Sequence, residues 1–542
     1  MTRPWNSRAV SPLLPADWVS LATVLAVAIA IRVLFYTGFF GSDEVTYIET
    51  AAKIASGDWR ASTYVGATRY GMNLPVALFI YLFGLSQFSA NLWPFLCSVG
   101  EVAVVYFIAR WLWSSRTAAI SAGLLALLPL HVMFAGRMMA DPPLAFFLTL
   151  SVALLLLAAR SRTWGLFFSA GLAWGGVFWV KESVAILYAP VFLLLAYYLN
   201  RLRGRWPWLF AGMAIAVLAN CALMYFVAGN PLHLFAVMKG GLASYAGLAA
   251  KTSPWYYLRY LFVDIRHTFL LGFLVVGGII FYARSHLRGG KPVPGIQFVV
   301  LWALLMIGLF SFAIVSFSPV KLVMKQTNYM LIFCGPLALL AGWFLSALSQ
   351  KAFLPVAALV VAGSAVLAAF EQQAVSVFTA NSRAFHAYLR DHPNAFLIGT
   401  TNNQRAVNFY SMMENRLDLR NRVTSFGEAL PGPGSTASVD WTAKTSGKDV
   451  FAVLDLQTID WGYKPSSIKR LDDVPKCWMP SGLLAPAALG SGSWVVKGLV
   501  LLGGVLPDGL RKPYLSALQP VSTPLPAHLF RVDAACLSAP QR

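Results

Sequence analysis

Long apolar runs restrict the fold of this chain more than any other feature. They lie near 18–38, 71–86, 91–109, 117–136, 142–159, 163–180, 183–199, 207–227, 266–283, 295–316, 327–347 and 352–370. Most are about 20 residues long, the length of helix that crosses a hydrocarbon core roughly 30 Å thick. Inside lipid, backbone polar groups must be satisfied within their own segment, so helices are the expected form. Charged residues make up 12% of the 542 positions, about half the share found in soluble domains. The sequence predicts an α-helical polytopic membrane protein.

Its formal charge of +20 would suit nucleic acid if the cations were clustered on one domain. Instead they fall in small groups between apolar runs: Arg110 and Arg116, Arg160 and Arg162, Arg201 with Arg203 and Arg205, Arg284 with Arg288 and Lys291. That is the signature of cytoplasmic loops under the positive-inside rule, and no nucleic-acid partner is expected. If all twelve runs crossed, these loops would fall outside. Reading 71–86 as an interfacial helix leaves about eleven transmembrane helices and returns every basic loop to the cytoplasm. Asp43, Asp141, Lys181, Lys321 and Lys325 then face outward. The first run is long enough to read as a retained anchor rather than a cleaved signal.

Residues 1–370 form the expected transmembrane domain, with outer loops at 38–90 and 228–265. In the first loop a short helix is expected after Ser42-Asp43, with Glu49 and Lys53 as an i,i+4 pair and Gly57 at its end. In the second, Trp255, Tyr256 and Tyr257 suit headgroup depth. After Phe370 the composition shifts to Asn, Asp, Gly and Pro, and residues 371–542 are expected to form an extracytoplasmic α/β domain. Its strand-like runs are 395–399, 450–456 and 494–502, with helix-like stretches at 380–391 and 403–413. Cys477 and Cys536 are the only cysteines there, and an oxidising compartment permits a disulfide between them.

Two carboxylates stand at outer ends of spans. Asp43 begins Asp43-Glu44 after the first run, and Asp141 precedes Pro142-Pro143 and another long helix. Each alone suits a helix cap. Together they suit a shared site, because acidic groups held beside a bilayer usually have a task. Lys181 and Lys321 have their own plain reading, snorkelling at a span end.

The segment Asp43-Glu44-x-x-Tyr47-x-x-x-Ala51, followed by Gly57-Asp58-Trp59, resembles the first outer loop of GT-C membrane glycosyltransferases. The nearest likeness is to protein O-mannosyltransferases and bacterial lipid A aminoarabinose transferases. Gly136-Arg-Met-Met-Ala-Asp141 is similar to their next outer loop, and Lys325-Gln-Thr-Asn-Tyr329 through Pro336 to a late basic-Tyr-apolar-Pro motif. The likeness implies transfer of a sugar from a polyprenyl phosphate to an acceptor at the outer face of a bacterial inner membrane, with the C-terminal domain in the periplasm. The acceptor is lipid A or its core, another glycan, or a protein. The likeness makes Asp43 the base, with Glu44 and Asp141 orienting substrate or holding a divalent ion such as magnesium or manganese. Cations for the donor phosphate are Lys325, Arg137 and Lys181, with Tyr329 beside them. Relatives carry Lys before Pro where this chain has Asn73-Leu74-Pro75, and Arg69 is the candidate replacement. A transporter or flippase for lipid-linked glycans is the competing class, but the two halves show no internal repeat.

Overall fold

The computed structural model describes residues 13–200, 205–240, 253–289, 293, 295–318, 320–430, 441–461, 468–533 and 536. Arg201, Arg203, Lys251 and Lys291 lie outside them. The chain divides into two compact units. One contains Met1–Tyr36, Thr46–Gly84 and Phe88–Ala368; the other contains Thr37–Val45, Leu85–Gln87 and Ala369–Arg542.

The first unit is helical: α1 (Pro15–Leu34), α2 (Glu44–Ala55), α3 (Tyr70–Phe83), α4 (Gln87–Leu112), α5 (Ser115–Leu127), α6 (Pro129–Ala135), α7 (Asp141–Ser161), α8 (Trp164–Val180), α9 (Glu182–Asn200) and α10 (Trp206–Ala228). After these come α11 (Tyr256–Phe262), α12 (Leu271–Leu287), α13 (Ile296–Phe312) and α14 (Leu331–Ala347). Among the described residues seven helices are long and apolar enough to cross a membrane, or eight if α5 and α6 count as one bent span. The run at 71–86, expected as an interfacial helix, is α3, only 14 residues long and so about 21 Å. The run at 117–136 is not straight: α5 and α6 meet at 61°. Pro129 causes this, since it opens α6 and holds Leu128 extended at ψ 121°.

Small residues let the helices approach. A Cβ on Gly171 of α8 would collide with the Leu209 carbonyl of α10, and one on Gly212 would meet the Phe168 carbonyl in return. Such contacts supply the packing that lipid gives no hydrophobic drive for. Asp17 at the start of α1 pairs with Arg110 at the end of α4, at 3.1 Å, so these two ends lie at one level. The run expected over 295–316 stops as helix at Phe312. Ile314–Phe317 (β1) turns back antiparallel onto Val320–Leu322 (β2).

The second unit takes up the chain at Ala369, within α15 (Gln350–Asp391). The sequence suggested a span at 352–370 and a separate helix at 380–391; the structure joins them in 42 residues. Five strands follow the order β4-β3-β5-β7-β6: β3 (Ala395–Gly399), β4 (Val423–Ser425), β5 (Asp449–Asp455), β6 (Trp478–Leu483) and β7 (Ala527–Val532). β3 runs parallel to β4 and β5, whereas β7 is antiparallel to both β5 and β6. Alternate residues serve two cores. Phe396, Ile398, Ala452, Leu454 and Phe530 face one. Leu397, Val453 and Leu529 face the other, with Phe385 and Leu389 of α15 and Val407 of α16 (Thr401–Met413).

The strand expected over 494–502 is a helix, α17 (Gly492–Gly503), followed by α18 (Asp508–Ser522). Trp-Val-Val has strand propensity, but propensity yields to packing context. Cys477 and Cys536 are joined in a disulfide, with Cα atoms 6.4 Å apart.

Candidate active site

Asp141 is the first residue of α7 and Ala140 holds the cap position. The carboxylate has another partner: Lys181 Nζ donates to Asp141 Oδ1 at 3.1 Å, and both side chains are buried. Lys181 occupies the single-residue break between α8 and α9, with φ −158° and ψ 88°. That break turns its side chain inward. The snorkelling expectation for Lys181 is therefore replaced by a buried ion pair. Its ammonium also stands 4.2 Å from the centre of the Tyr329 ring, a cation–π contact strengthened by desolvation.

The residue after Lys181 extends the cluster. Glu182 Oε2 is 4.0 Å from Arg69 Nε, and Arg69 donates to the Tyr47 hydroxyl. Helix α2, the start of α3, the α8–α9 break, the head of α7 and the turn at Thr327–Met330 thus bring six polar side chains together. Two carboxylates and two cations roughly cancel, as buried charge requires. Glu182 was not singled out from the sequence, although a Lys-Glu pair at a span end was a usable signal.

Arg137 is buried with its guanidinium 5.1 Å from the Phe134 ring. Lys325 lies between β2 and the Thr327–Met330 turn, buried, and its Nζ donates to the Val323 carbonyl at 3.3 Å. Burial holds its amine below the usual lysine range. Asn73 is also accounted for: its Nδ2 donates to the carbonyls of Gly66 and Ala67 at 3.0 and 3.1 Å, which shapes the turn before α3. Tyr257, expected at the membrane surface, is fully buried against Phe333; Trp255 is the exposed ring of that segment.

Asp43 and Glu44 belong to the second unit. Glu44 curls back on its own turn. Its Oε1 accepts the amides of Phe40 and Gly41 at 2.7 and 2.5 Å, and its Oε2 that of Ser42 at 2.9 Å. On the other side of this turn, Asn402 Nδ2 donates to the Phe40 carbonyl at 2.8 Å, and Arg405 donates to the carbonyls of Gly41 and Ser42 at 2.8 and 3.2 Å. Phe40 stacks on Phe378, and Phe39 packs against Phe409 and Tyr410. Gly41 has φ +96°, and a Cβ there would collide with the Asn402 amide. Asp43 is the next residue but one, directly before α2. Sequence reasoning missed Asn402 and Arg405, which carry no local mark of this contact.

A second buried charge cluster lies among the spans. Arg32 donates through Nε to Ser98 Oγ at 2.9 Å, through Nη1 to the Ala28 and Ala126 carbonyls, and through Nη2 to His131 Nδ1 at 2.7 Å. His131 Nε2 then meets Glu101 Oε2 at 2.9 Å, and Thr149 donates to Glu101 Oε1 at 2.9 Å.

Comparison with known proteins decides the fold. Residues 72–225 match the family described as dolichyl-phosphate-mannose-protein mannosyltransferase. The crystal structure of ArnT from Cupriavidus metallidurans bound to undecaprenyl phosphate superposes with a TM-score of 0.53 at 17% identity, covering 82% of this chain and 94% of that one. This chain therefore shares the fold of that ArnT structure. The crystal structure of the Archaeoglobus fulgidus oligosaccharyltransferase complex with zinc and sulfate is similar in fold, with a TM-score of 0.50 at 13% identity, over 81% of this chain and 68% of that one. In sequence, the chain is 27% identical over 324 residues to an undecaprenyl phosphate-alpha-4-amino-4-deoxy-L-arabinose arabinosyl transferase of Pseudomonas paraeruginosa (strain DSM 24068 / PA7), covering 56% of this chain. The match spans 55% of that relative, about half its length.

The metal expectation can be set against the partners of these carboxylates. Glu44 is bonded to three amides of its own turn and Asp141 to Lys181. Among the described residues, no three His, Cys, Asp or Glu side chains cluster as ligands would. The chemistry below is written on side-chain cations.

Proposed function

We propose that this protein is a multi-pass glycosyltransferase of a bacterial inner membrane, moving a sugar from a polyprenyl-phosphate donor to a hydroxyl acceptor on the outer face. The observation that carries this reading is the buried Asp141–Lys181 pair, with Arg69, Glu182, Tyr47 and Tyr329 around it, in a GT-C fold. A buried cation beside a carboxylate at a span end suits a substrate with a phosphate head, a sugar and a lipid tail. The relatives' printed names, with undecaprenyl phosphate in one and an undecaprenyl-phosphate aminoarabinose in the other, support that donor class. The acceptor class is a glycolipid such as lipid A, another glycan or a protein.

In this reading Asp43 removes the acceptor proton as the acceptor oxygen bonds to the anomeric carbon. The bond from that carbon to the phosphate oxygen breaks, and the polyprenyl phosphate leaves with the electron pair. Lys181 and Arg69 face the charge that develops there, with Lys325 and Arg137 as further cations, because fixed cations in a dry site stabilise such charge strongly. Asp141 holds Lys181 ionised and aimed. Glu44 keeps the turn that presents Asp43. The seven long helices, the bent α5–α6 pair and the 17-residue α8, α12 and α13 supply the eleven crossings that put this chemistry outside.

The test is sugar transfer by the purified protein from a polyprenyl-phosphate donor, with Asp43→Asn as the comparison. Asn caps a helix nearly as well as Asp but accepts no proton. Turnover is expected to fall about 10²-fold or more with thermal stability little changed. Near wild-type turnover in Asp43→Asn would remove the base from the scheme.

A further inference from the structure

The hairpin α17–α18 is inserted between β6 and β7, and its outer face is unusual for a water-exposed surface. Trp494, Leu501 and Val505 are 78%, 77% and 81% exposed, and Leu502 and Leu510 are exposed beside them. Contiguous apolar exposure of this kind marks an interaction site. Cations lie along the same hairpin: Lys497, whose ammonium is 5.7 Å from the Trp494 ring, then Arg511 and Lys512, against one acid, Asp508. The hairpin is a rigid piece, with the Tyr514 hydroxyl donating to the Leu499 carbonyl at 3.0 Å.

Its root is fixed at a particular height on α15. The Gly492 amide donates to Gln372 Oε1 at 2.9 Å, and the Gly490 amide to Ser376 Oγ at 2.8 Å. A Cβ on Gly492 would collide with the Ala369 carbonyl. From Ala352 to Phe370 α15 is almost wholly apolar, and Glu371-Gln372-Gln373 follows directly. That apolar stretch is about 28 Å long, close to one hydrocarbon thickness. The root of α17 therefore sits where α15 passes from acyl chains to headgroups.

We propose that α17–α18 lies in the headgroup layer of the leaflet from which α15 emerges, with its apolar tip among the upper acyl carbons and its cations on anionic phospholipid. Length, amphipathic character and basic residues match those of interfacial helices, and juxtamembrane cations are drawn to anionic lipid. The inference rests on α15 as a span and is independent of the transfer chemistry.

The experiment uses the full chain in nanodiscs, with Cys221→Ser to remove the one free cysteine that is not buried. A nitroxide is placed by Leu501→Cys, and in a second sample by Leu417→Cys on another exposed part of the same unit. In discs of phosphatidylcholine with phosphatidylglycerol, the 501 label is expected to collide with lipid-soluble oxygen and to be shielded several-fold from a water-soluble nickel chelate relative to 417. Charge reversal at Lys497, Arg511 and Lys512 to Glu is expected to return the 501 label to water. Equal nickel access at 501 and 417 would overturn the proposal. Shielding that survives charge reversal would overturn its anionic-lipid component, and shielding found only in discs holding two copies would assign the surface to a second copy instead.

Discussion

Two of the buried charged clusters among the described residues of the transmembrane unit are built on different plans. Around Arg32, His131 and Glu101 the bonding is closed. Arg32 gives hydrogen bonds from all three nitrogens, both Glu101 oxygens accept, and the partners come from α1, α4, α5, α6 and α7. Around Asp141 and Lys181 the contacts include the ion pair itself, the Tyr329 ring face, a longer pair at 4.0 Å and the Arg69–Tyr47 hydrogen bond. Both clusters meet the rule that ionisable groups among spans are functional candidates. The difference shows that burial of charge does not by itself mark chemistry. In the reading proposed above, the Arg32 network fastens helices, whereas the Asp141–Lys181 pair beside the Tyr329 ring meets a charged substrate.

The largest effect expected from this contrast is on stability. In Glu101→Gln, Arg32 remains buried without its counter-charge, and breaking a buried pair this way costs about 3–5 kcal/mol. Thermal unfolding in detergent should show that loss, while the molecules that remain folded transfer sugar at the wild-type rate. A stable Glu101→Gln protein with collapsed turnover would reverse the roles of the two clusters.

Asp141→Asn is the matching change in the second cluster. The amide keeps an acceptor oxygen for Lys181, and the Tyr329 ring still faces the ammonium, so the stability loss should be smaller than in Glu101→Gln. Turnover, however, is expected to fall about 10²-fold, because misaimed catalytic groups are that costly. Single-turnover transfer rates beside melting curves would separate the two variants. Equal profiles would abolish the distinction.

The sequence made some of this legible and hid the rest for identifiable reasons. Apolar length placed the long helices, whereas the α5–α6 bend at Pro129 was not anticipated, because hydropathy reads 117–136 as one continuous run. The continuity of α15 was hidden because the polar stretch after Phe370 ends the hydropathy signal while the helix goes on. Asp141 and Lys181 each stood out as polar residues at span ends, but their pairing joins positions 40 residues apart, which no local pattern encodes. The grip of Asn402 and Arg405 on the turn before Asp43 is longer still in sequence, with separations above 360. Glu44 shows the opposite failure. Its neighbour Asp43 made it look like a chemical group, whereas its oxygens serve the amides of its own turn.

That turn gives a third way of holding charge, by backbone, and a milder test. Arg405→Ala removes two donors from the Gly41 and Ser42 carbonyls and leaves Asp43 itself intact. Turnover is expected to drop about tenfold through misplacement of the carboxylate, with donor KM little changed. Arg405→Lys should restore part of it, since one ammonium can reach one carbonyl. A variant that loses donor affinity instead would place Arg405 with the phosphate cations.

The smallest expected effect concerns Lys325, and it turns on pH. Its buried amine sits below the usual lysine range, because burial disfavours the charged form. The amine therefore loses its proton, as pH rises, earlier than an exposed lysine would. If it helps to hold the donor phosphate, donor KM should climb on the alkaline side while kcat changes little. Lys325→Ala should raise KM a few-fold at neutral pH, the scale of one partly screened charge, and remove that alkaline rise. Lys325→Arg keeps a charge throughout the range, since guanidinium stays protonated, so its KM should stay flat where the wild type climbs. An alkaline limb that is the same in all three proteins would take Lys325 out of donor binding and leave Lys181 and Arg69 as the cations of the site.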